Sequence, residues 1–157
     1  MKKFNHVGSE LQDLRTENIK GKRHYVTPDG NQYISITSLL SNLSKADIQK
    51  WRERVGEAEA NKISTKASRQ GTRVHSICES YIKNEYGFLD GRMPNEIDMF
   101  SSIQSLLDRI DNIHCVEGAL YSDDLKLAGR TDLIAEFDDE LAIIDYKTSR
   151  KKKTWEM

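Results

Sequence analysis

GALYSDDLKLAGRTDLIAEFDDELAIIDYKTS, residues 118–149, is the stretch of sequence that decides the fold. Three runs rich in β-branched and aliphatic residues, over residues 115–121, 126–136 and 141–146, are typical of strands. The short acidic segments between these runs are of a length that suits hairpin turns. The stretch therefore predicts a three-stranded antiparallel meander.

The lengths of the two predicted turns determine which residues face each other across the meander. If the second turn has two central residues, Asp132 lies opposite Asp145, and the same assumption for the first turn places Glu117 opposite Arg130. Lys147 lies two residues beyond Asp145 and so points to the same face of the sheet. Five side chains are thus predicted to converge on one side of the sheet: Glu117, Arg130, Asp132, Asp145 and Lys147.

Two directly opposed aspartates need a physical reason, because like charges at these positions destabilise a sheet. A bound divalent cation is one such reason, and oxygen ligands suit Mg²⁺ or Mn²⁺. Lys147 could then orient a water molecule or stabilise developing charge. The alternative is that the strand ends at Asp145, whose solvated side chain pairs with Lys147 at the surface.

The first two thirds of the chain are predicted to be mainly helical. The Pro-Asp-Gly turn at residues 28–30 predicts a hairpin, and residues 1–20 have weak periodicity and are predicted to be a flexible arm. Residues 21–157 contain no linker or repeat and are predicted to form one domain. Helical spacing predicts helices around residues 36–43, after Ser44, and over residues 57–69, 73–85 and 94–110, with Gly71 separating the third from the fourth.

The helix predicted after Gly71 adds a further candidate ligand. His75 and Glu79 are four residues apart and share a helix face. A histidine in a helix is equally compatible with a structural or exposed position. A ligand role for His75 therefore requires that this helix pack over the carboxylate face of the meander.

Charge and composition narrow the class of protein. The net charge is −1, but residues 61–75 and residues 146–153 contain several lysines and arginines and no acid, so one face could hold a polyanion or simply be solvated. No run approaches the ~18 apolar residues of a membrane-spanning helix. Residues 1–20 do not resemble a targeting peptide, and two cysteines are too few for a disulfide framework or a four-cysteine cluster.

Taken together, these residues resemble the PD-(D/E)XK nuclease superfamily, and within it the RecB-type exonuclease branch. GRTD supplies Asp132, IIDYKTS supplies Asp145 and Lys147, and Glu117 precedes the quoted stretch. GTRVHSICE, residues 71–79, is similar to the GxxxHxxxE motif of that branch and supplies His75. The resemblance extends from about residue 25 to the C-terminus. Near its start, YISITSLLS (residues 33–41) and the helix around Trp51 are similar to phage members of the branch.

The resemblance implies an α/β fold in which a helical N-terminal two thirds packs on a small β-meander, giving a restriction-endonuclease-like core over residues 71–149. It also implies an exonuclease that hydrolyses phosphodiester bonds of DNA at single-stranded ends with one or two Mg²⁺ or Mn²⁺ ions, in DNA replication or repair. It implies no iron–sulfur cluster and no membrane partner. The expected location is the cytoplasm of a bacterial or phage-infected cell, with the mitochondrion as the alternative.

The resemblance further implies a role for each matched residue. Asp132 and Asp145 would bind metal and take part in catalysis, and Lys147 would position the attacking water. His75, Glu117 and the backbone carbonyl of Tyr146 would complete the metal shell. The residues implied to contact nucleic acid are Lys66, Arg69, Arg73, Arg130, Thr148 and Lys151.

The chain departs from the family in one respect. Family members continue past the lysine into a helix that carries Gln-x-x-x-Tyr, whereas this sequence ends at Met157. The core is therefore expected to be incomplete at the C-terminus, unless a second chain supplies the missing motif. A catalytically impaired DNA-binding or assembly fragment is the alternative function, and a restriction-type endonuclease is a third.

Overall fold

A mixed six-stranded sheet with helices packed on it makes up residues 2–148, the part of the chain that this computed structural model describes. The strand order is β1-β2-β3-β5-β4. β5 is long enough to pair also with β6, which joins its later residues, from Leu133 to Phe137. The strands are β1 (Arg15–Ile19), β2 (Lys22–Val26), β3 (Gln32–Ser35), β4 (Ile110–Ser122), β5 (Leu127–Phe137) and β6 (Glu140–Ile144). The helices are α1 (Ile36–Leu43), α2 (Lys45–Val55), α3 (Glu57–Ile82) and α4 (Pro94–Leu107).

The second turn of the meander forms as predicted. Phe137 pairs with Glu140 across β5 and β6. The two residues between them, Asp138 and Asp139, have φ angles of 52° and 67°. Positive φ at both central positions is what a two-residue type I′ hairpin turn requires, and aspartate tolerates it better than most residues.

The first turn is longer than predicted, and the register changes with it. Ser122 pairs with Leu127, so four residues connect β4 to β5, and Arg130 pairs with Ala119. Glu117 stands between two neighbouring pairs, level with Asp132, and the prediction that it faces Arg130 is wrong. The turn widens because the Leu125 N–H donates to Ser122 Oγ. A two-residue shift preserves the face on which each side chain points.

The predicted hairpin, β2–β3, is present, but the N-terminal region holds more strand than the sequence indicates. β1 pairs antiparallel with β2, and β3 joins the meander in parallel with β5 through Ile34 and Leu127. The segment predicted to be an arm thus contains a strand, and Phe4 is buried in the core. The sequence of β1, RTENI, does not alternate apolar and polar residues, and none of its residues is buried. Backbone pairing with β2 holds the strand, so periodicity could not reveal it.

The structure has one long helix, α3, where the sequence predicts two. Gly71 lies inside it, because a glycine in a helix interior costs only about 1 kcal/mol relative to alanine and does not by itself end the helix. A Cβ atom at this position would lie 3.3 Å from Thr148 Oγ1. The glycine therefore allows the chain that follows β6 to run close to α3.

The main core lies between α3, α4 and the meander. Val74, Ile77 and Cys78 of α3 pack with Leu133 and Ala135 of β5. In contrast, α1 and α2 contribute no buried residue. No helix within residues 2–148 combines the length and apolar character needed to cross a bilayer.

Candidate functional site

The packing of α3 against β5 brings His75 to Asp132. Because Val74 and Ile77 are buried against the sheet, His75 lies on a flank of the helix, with its Nδ1 3.4 Å from Asp132 Oδ1. The contact with Asp132 raises the pKa of the imidazole. Burial alone would raise the pKa of the Asp132 carboxyl, but the His75 ring and a backbone N–H outweigh it and lower that pKa. Each contact therefore favours the charged form of the group it acts on, in a partly buried position.

The other oxygen of Asp132 is held by the chain that leaves β6. The Tyr146 N–H donates to Asp132 Oδ2 at 2.6 Å. The Tyr146 ring is buried and meets the His75 ring edge-on, with centroids 5.6 Å apart. Its hydroxyl is buried without a hydrogen-bond partner among residues 2–148, and burial raises its pKa. The contact seen at this residue is thus made by the amide N–H, not by the carbonyl predicted to bind metal.

Asp145 and Lys147 form an ion pair beside this cluster. Because β6 ends at Ile144, Asp145 lies beyond the ladder, and the two charged side chains are about half exposed. The strand end and the local pairing match the surface alternative noted from the sequence. Both groups are still close enough to affect His75, since Lys147 lowers the imidazole pKa and Asp145 raises it.

Glu117 is the third acid of the cluster. It lies within β4 with a φ of 56°, a left-handed conformation that is uncommon for residues other than glycine. Burial, followed by the charges of Asp132 and Glu79, raises the pKa of the Glu117 carboxyl. The Glu117 pKa is therefore raised first because the carboxyl is partly buried and only then by the negative charges of Asp132 and Glu79.

Glu79 belongs to the cluster although it is absent from the predicted set of site residues. It lies one turn after His75 on α3, and its Oε1 accepts a hydrogen bond from Lys83 Nζ at 2.6 Å. The four-residue spacing from His75 is the signal in the sequence that could have identified it.

The residues predicted to contact nucleic acid lie in three places. Arg130 donates to the Glu117 carbonyl and to the Asp13 carboxylate, and Thr148 lies against Gly71. Lys66, Arg69 and Arg73 line a different surface, between α3 and α4. Lys151 lies outside the described residues.

An apolar cavity of about 370 Å³ opens beside Asp145. Ile36, Tyr121 and Ile143 line it, together with Arg130. Its size and lining suit a flat, uncharged group, and it adjoins the acidic cluster through Asp145.

The side chains of the site suit a divalent cation in chemistry, although they do not enclose one. Four carboxylates and one imidazole are the donors that Mn²⁺ accepts, and the carboxylates also suit Mg²⁺. Within residues 2–148, no three His, Cys, Asp or Glu side chains are arranged so that they could hold an ion directly. The carboxylates of Asp132 and Glu79 are nevertheless close enough to Glu117 for their charges to raise its pKa, so three acids share this part of the site.

The family model and the relatives that match this chain all describe nucleases. A family model described as the PD-(D/E)XK nuclease superfamily matches residues 45–157. The chain is 28% identical over 131 residues to mitochondrial genome maintenance exonuclease 1 of Mus musculus, which covers 78% of this chain and 39% of the relative. The proteins of the same name from Homo sapiens and Xenopus tropicalis are 28% and 25% identical, over 68% and 77% of this chain. The chain spans only 32% and 37% of those two relatives.

Proposed function

Because the chain belongs to the PD-(D/E)XK nuclease superfamily, we propose that it is a DNA exonuclease that depends on a divalent cation. The observation that carries this proposal is the contact of His75 with Asp132, which joins the GxxxHxxxE helix to the meander. The accumulation of negative charge around Glu117 supports the requirement for a cation.

The proposed ion is Mg²⁺ or Mn²⁺, one or two per site. Asp132 and Asp145 would hold it, with Glu117, His75 and the Tyr146 carbonyl as further ligands. When bound, the ion supplies positive charge that activates water and neutralises the attacking and leaving oxygens of the phosphodiester. In the protein alone, the His75 ring lies beside Asp132 and the Lys147 ammonium lies beside Asp145.

The protein's own residues would orient the reaction. The Tyr146 N–H fixes one oxygen of Asp132 and so limits rotation of that carboxylate. Lys147, whose ammonium is about half exposed, would position the attacking water or stabilise charge on the phosphate. Thr148 would contact the strand near the scissile bond.

The cavity beside Asp145 favours a single-stranded substrate. Its apolar lining, with Tyr121 and Ile143, can accept an unpaired base, whose π face stacks on aromatic groups in any sequence. A paired base within a duplex could not enter it without unstacking. The names of the relatives further suggest a role in genome maintenance and favour the mitochondrion over a bacterial or phage-infected cytoplasm.

A second candidate function is a DNA-binding or assembly module without catalysis. The ion pair of Asp145 with Lys147 and the open arrangement of the carboxylates favour it. In that case a second chain would complete the site. Strand β6, which pairs with β5 on one side and exposes Leu141 and Ile143, offers an edge for such a partner.

The test is digestion of 5′- and 3′-labelled single-stranded DNA with Mg²⁺ or Mn²⁺. We expect metal-dependent shortening by the unaltered chain and a loss of about a hundredfold or more in Asp145→Asn and Lys147→Ala. Asp139→Asn, an exposed aspartate in the β5–β6 turn, is the matched control and should retain full activity.

Two outcomes decide between the candidate functions. Shortening of one labelled end, lost in both variants, supports the exonuclease and gives its polarity. No cleavage, together with binding of the same DNA, would overturn the exonuclease for this chain and support the binding module.

A further inference from the structure

We propose that the groove between α3 and α4 is a second nucleic-acid site, which binds the phosphate backbone of a single strand away from the position of cleavage. That the ligand is a nucleic acid rests on the proposed function. The location of the site is argued independently, from the residues of α3 and α4. We call this surface the α3–α4 groove. It encloses about 570 Å³ and is lined by Asn61, Lys62, Thr65, Lys66, Arg69, Gln70, Arg73, Met93, Asn95 and Glu96.

The groove carries an excess of positive charge. Its lining contains four cations and one acid, Glu96. That acid is buried and accepts a hydrogen bond from Arg73 Nη1 at 2.8 Å, while Lys62 lies 3.8 Å from Glu59. Lys66 and Arg69 make no ion pair with any residue of the described part of the chain. Two cations are thus available to an anionic ligand.

The α3–α4 groove lies on the opposite flank of α3 from the acidic cluster. A helix turns by about 100° per residue, so positions on α3 can be given as angles around its axis from Gly71. His75 lies at ~40°, whereas Arg69 and Arg73 lie at ~160° and ~200°. The contacts agree with these angles, because Arg73 binds Glu96 of α4 whereas His75 contacts Asp132 of β5. Phosphates in the groove are therefore not the phosphates held at the acidic cluster. The basic residues form an exosite rather than part of the catalytic cleft.

The arrangement suits a linear polyanion better than a single phosphate ion. From Lys62 to Arg73 the cations recur every three or four residues, along about 16 Å of helix. Neutral donors of the kind that commonly bond phosphate oxygens lie between the cations, at Thr65, and opposite them on α4, at Asn95. The lining contains no aromatic residue, so we expect binding through the backbone and without base preference.

Binding of single-stranded DNA by the double variant Lys66→Gln/Arg69→Gln tests the proposal. The probes are oligothymidylates of about 30 and about four nucleotides, long and short relative to a typical single-strand site. Affinity is measured with EDTA, so that no cleavage occurs. For the long probe we expect Kd to rise about tenfold at low salt, and the slope of log K against log salt to fall by about 1.4, because two phosphate contacts are lost.

The matched control is Lys22→Gln/Arg23→Gln, which removes one lysine and one arginine from exposed positions at the start of β2. It should leave the Kd of the long probe unchanged. A urea unfolding curve establishes that both double variants are folded.

Cleavage of the short probe separates this proposal from the proposed function. We expect the groove variant to lose about tenfold more cleavage of the long probe than of the short one, since the short strand does not reach the exosite. An equal loss of cleavage on both probes would overturn the proposal, because the groove would then belong to the catalytic cleft. An unchanged Kd and salt slope for the long probe would also overturn it. If the unaltered chain cleaves neither probe, the proposed function fails, and the binding data still decide the exosite.

Discussion

At the scale of single residues, Glu117 shows how a distant contact positions a functional side chain. Its left-handed backbone is strained for a residue with a Cβ atom, and such strain persists only when surrounding groups enforce it. Arg130 donates to the Glu117 carbonyl and is itself held by the Asp13 carboxylate. Arg130 therefore helps to hold Glu117 in this left-handed conformation, in which its carboxyl is close enough to Asp132 and to Glu79 of α3 for their charges to raise its pKa.

Loss of this anchor should weaken metal binding. In Arg130→Ala we expect the affinity for Mn²⁺ to fall about tenfold, as is typical when a group that orients a ligand is removed. Isothermal titration calorimetry of the protein without DNA measures it directly. Arg15→Ala, which removes a guanidinium paired with Glu17 at the surface, is the control. An unchanged affinity in Arg130→Ala would contradict the anchoring role.

The sequence indicated which residues belong to this site better than it indicated which side chains contact each other. The motifs identify His75 and Asp132, and the structure brings their side chains together. The partner of Arg130 could not be read from the sequence, because Asp13 lies 117 residues away and in a segment without periodicity. The predicted contact of Arg130 with nucleic acid stays a prediction.

At the scale of elements, α3 has two flanks with opposite charge, and α4 is tied to one of them. Glu96 Oε2 accepts the Met93 N–H at the start of α4, while its Oε1 accepts from Arg73. The Arg73 guanidinium, followed by the Met93 N–H, holds the pKa of the Glu96 carboxyl below its usual range. This buried acid therefore joins two helices.

The lowered pKa of Glu96 makes stability depend on pH. The unfolded chain binds this proton more tightly than the folded one, so the contribution is present above the ordinary glutamate pKa and is lost as pH falls through the lowered one. In Glu96→Gln we expect a lower urea midpoint than in the unaltered chain at pH 7 and a deficit that shrinks as pH falls toward 3. Asp98→Asn, an exposed change on the same helix, should show no such difference. A constant deficit at both pH values would refute the assignment.

Two features, the β4–β5 turn and the length of α3, were predicted less well than the β5–β6 hairpin, for a physical reason. The type I′ turn is encoded by its two aspartates, so the β5–β6 register follows from local sequence. The β4–β5 turn contains a hydrogen bond from the Leu125 N–H to Ser122 Oγ, and Gly71, inside α3, lies close to Thr148 in the chain that follows β6. Neither contact has a signature in the spacing of residues.

At the scale of the whole molecule, the N-terminal segment helps to close the core. Phe4 packs edge-on against Tyr81, with ring centroids 5.2 Å apart, and its backbone pairs with the Asn84 side chain. The Lys2 ammonium donates to the carbonyls of Asp108 and Ile110. These contacts join the start of the chain to α3 and β4. Sequence reasoning could not find them, since a single phenylalanine among polar residues has no period.

Removal of the Phe4 ring should therefore destabilise the whole domain. We expect Phe4→Ala to lower the free energy of unfolding by about 3 kcal/mol, the cost of leaving a cavity beside Tyr81. Urea denaturation followed by tryptophan fluorescence measures this change. Val7→Ala, at a position that is 50% exposed, should stay within about 0.5 kcal/mol. A comparably small effect of Phe4→Ala would mean that the N-terminal segment is not part of the cooperative unit.

The close approach of Gly71 to Thr148 also limits the mutational paths open to this chain. Alanine at position 71 would improve helix propensity by about 1 kcal/mol, but its Cβ would lie 3.3 Å from Thr148 Oγ1. The Thr148 side chain would have to move by a few tenths of an ångström, and a smaller residue at position 148 removes that requirement. The effects of the two substitutions are therefore coupled, and the residue at position 148 sets how much of the propensity gain alanine delivers at position 71.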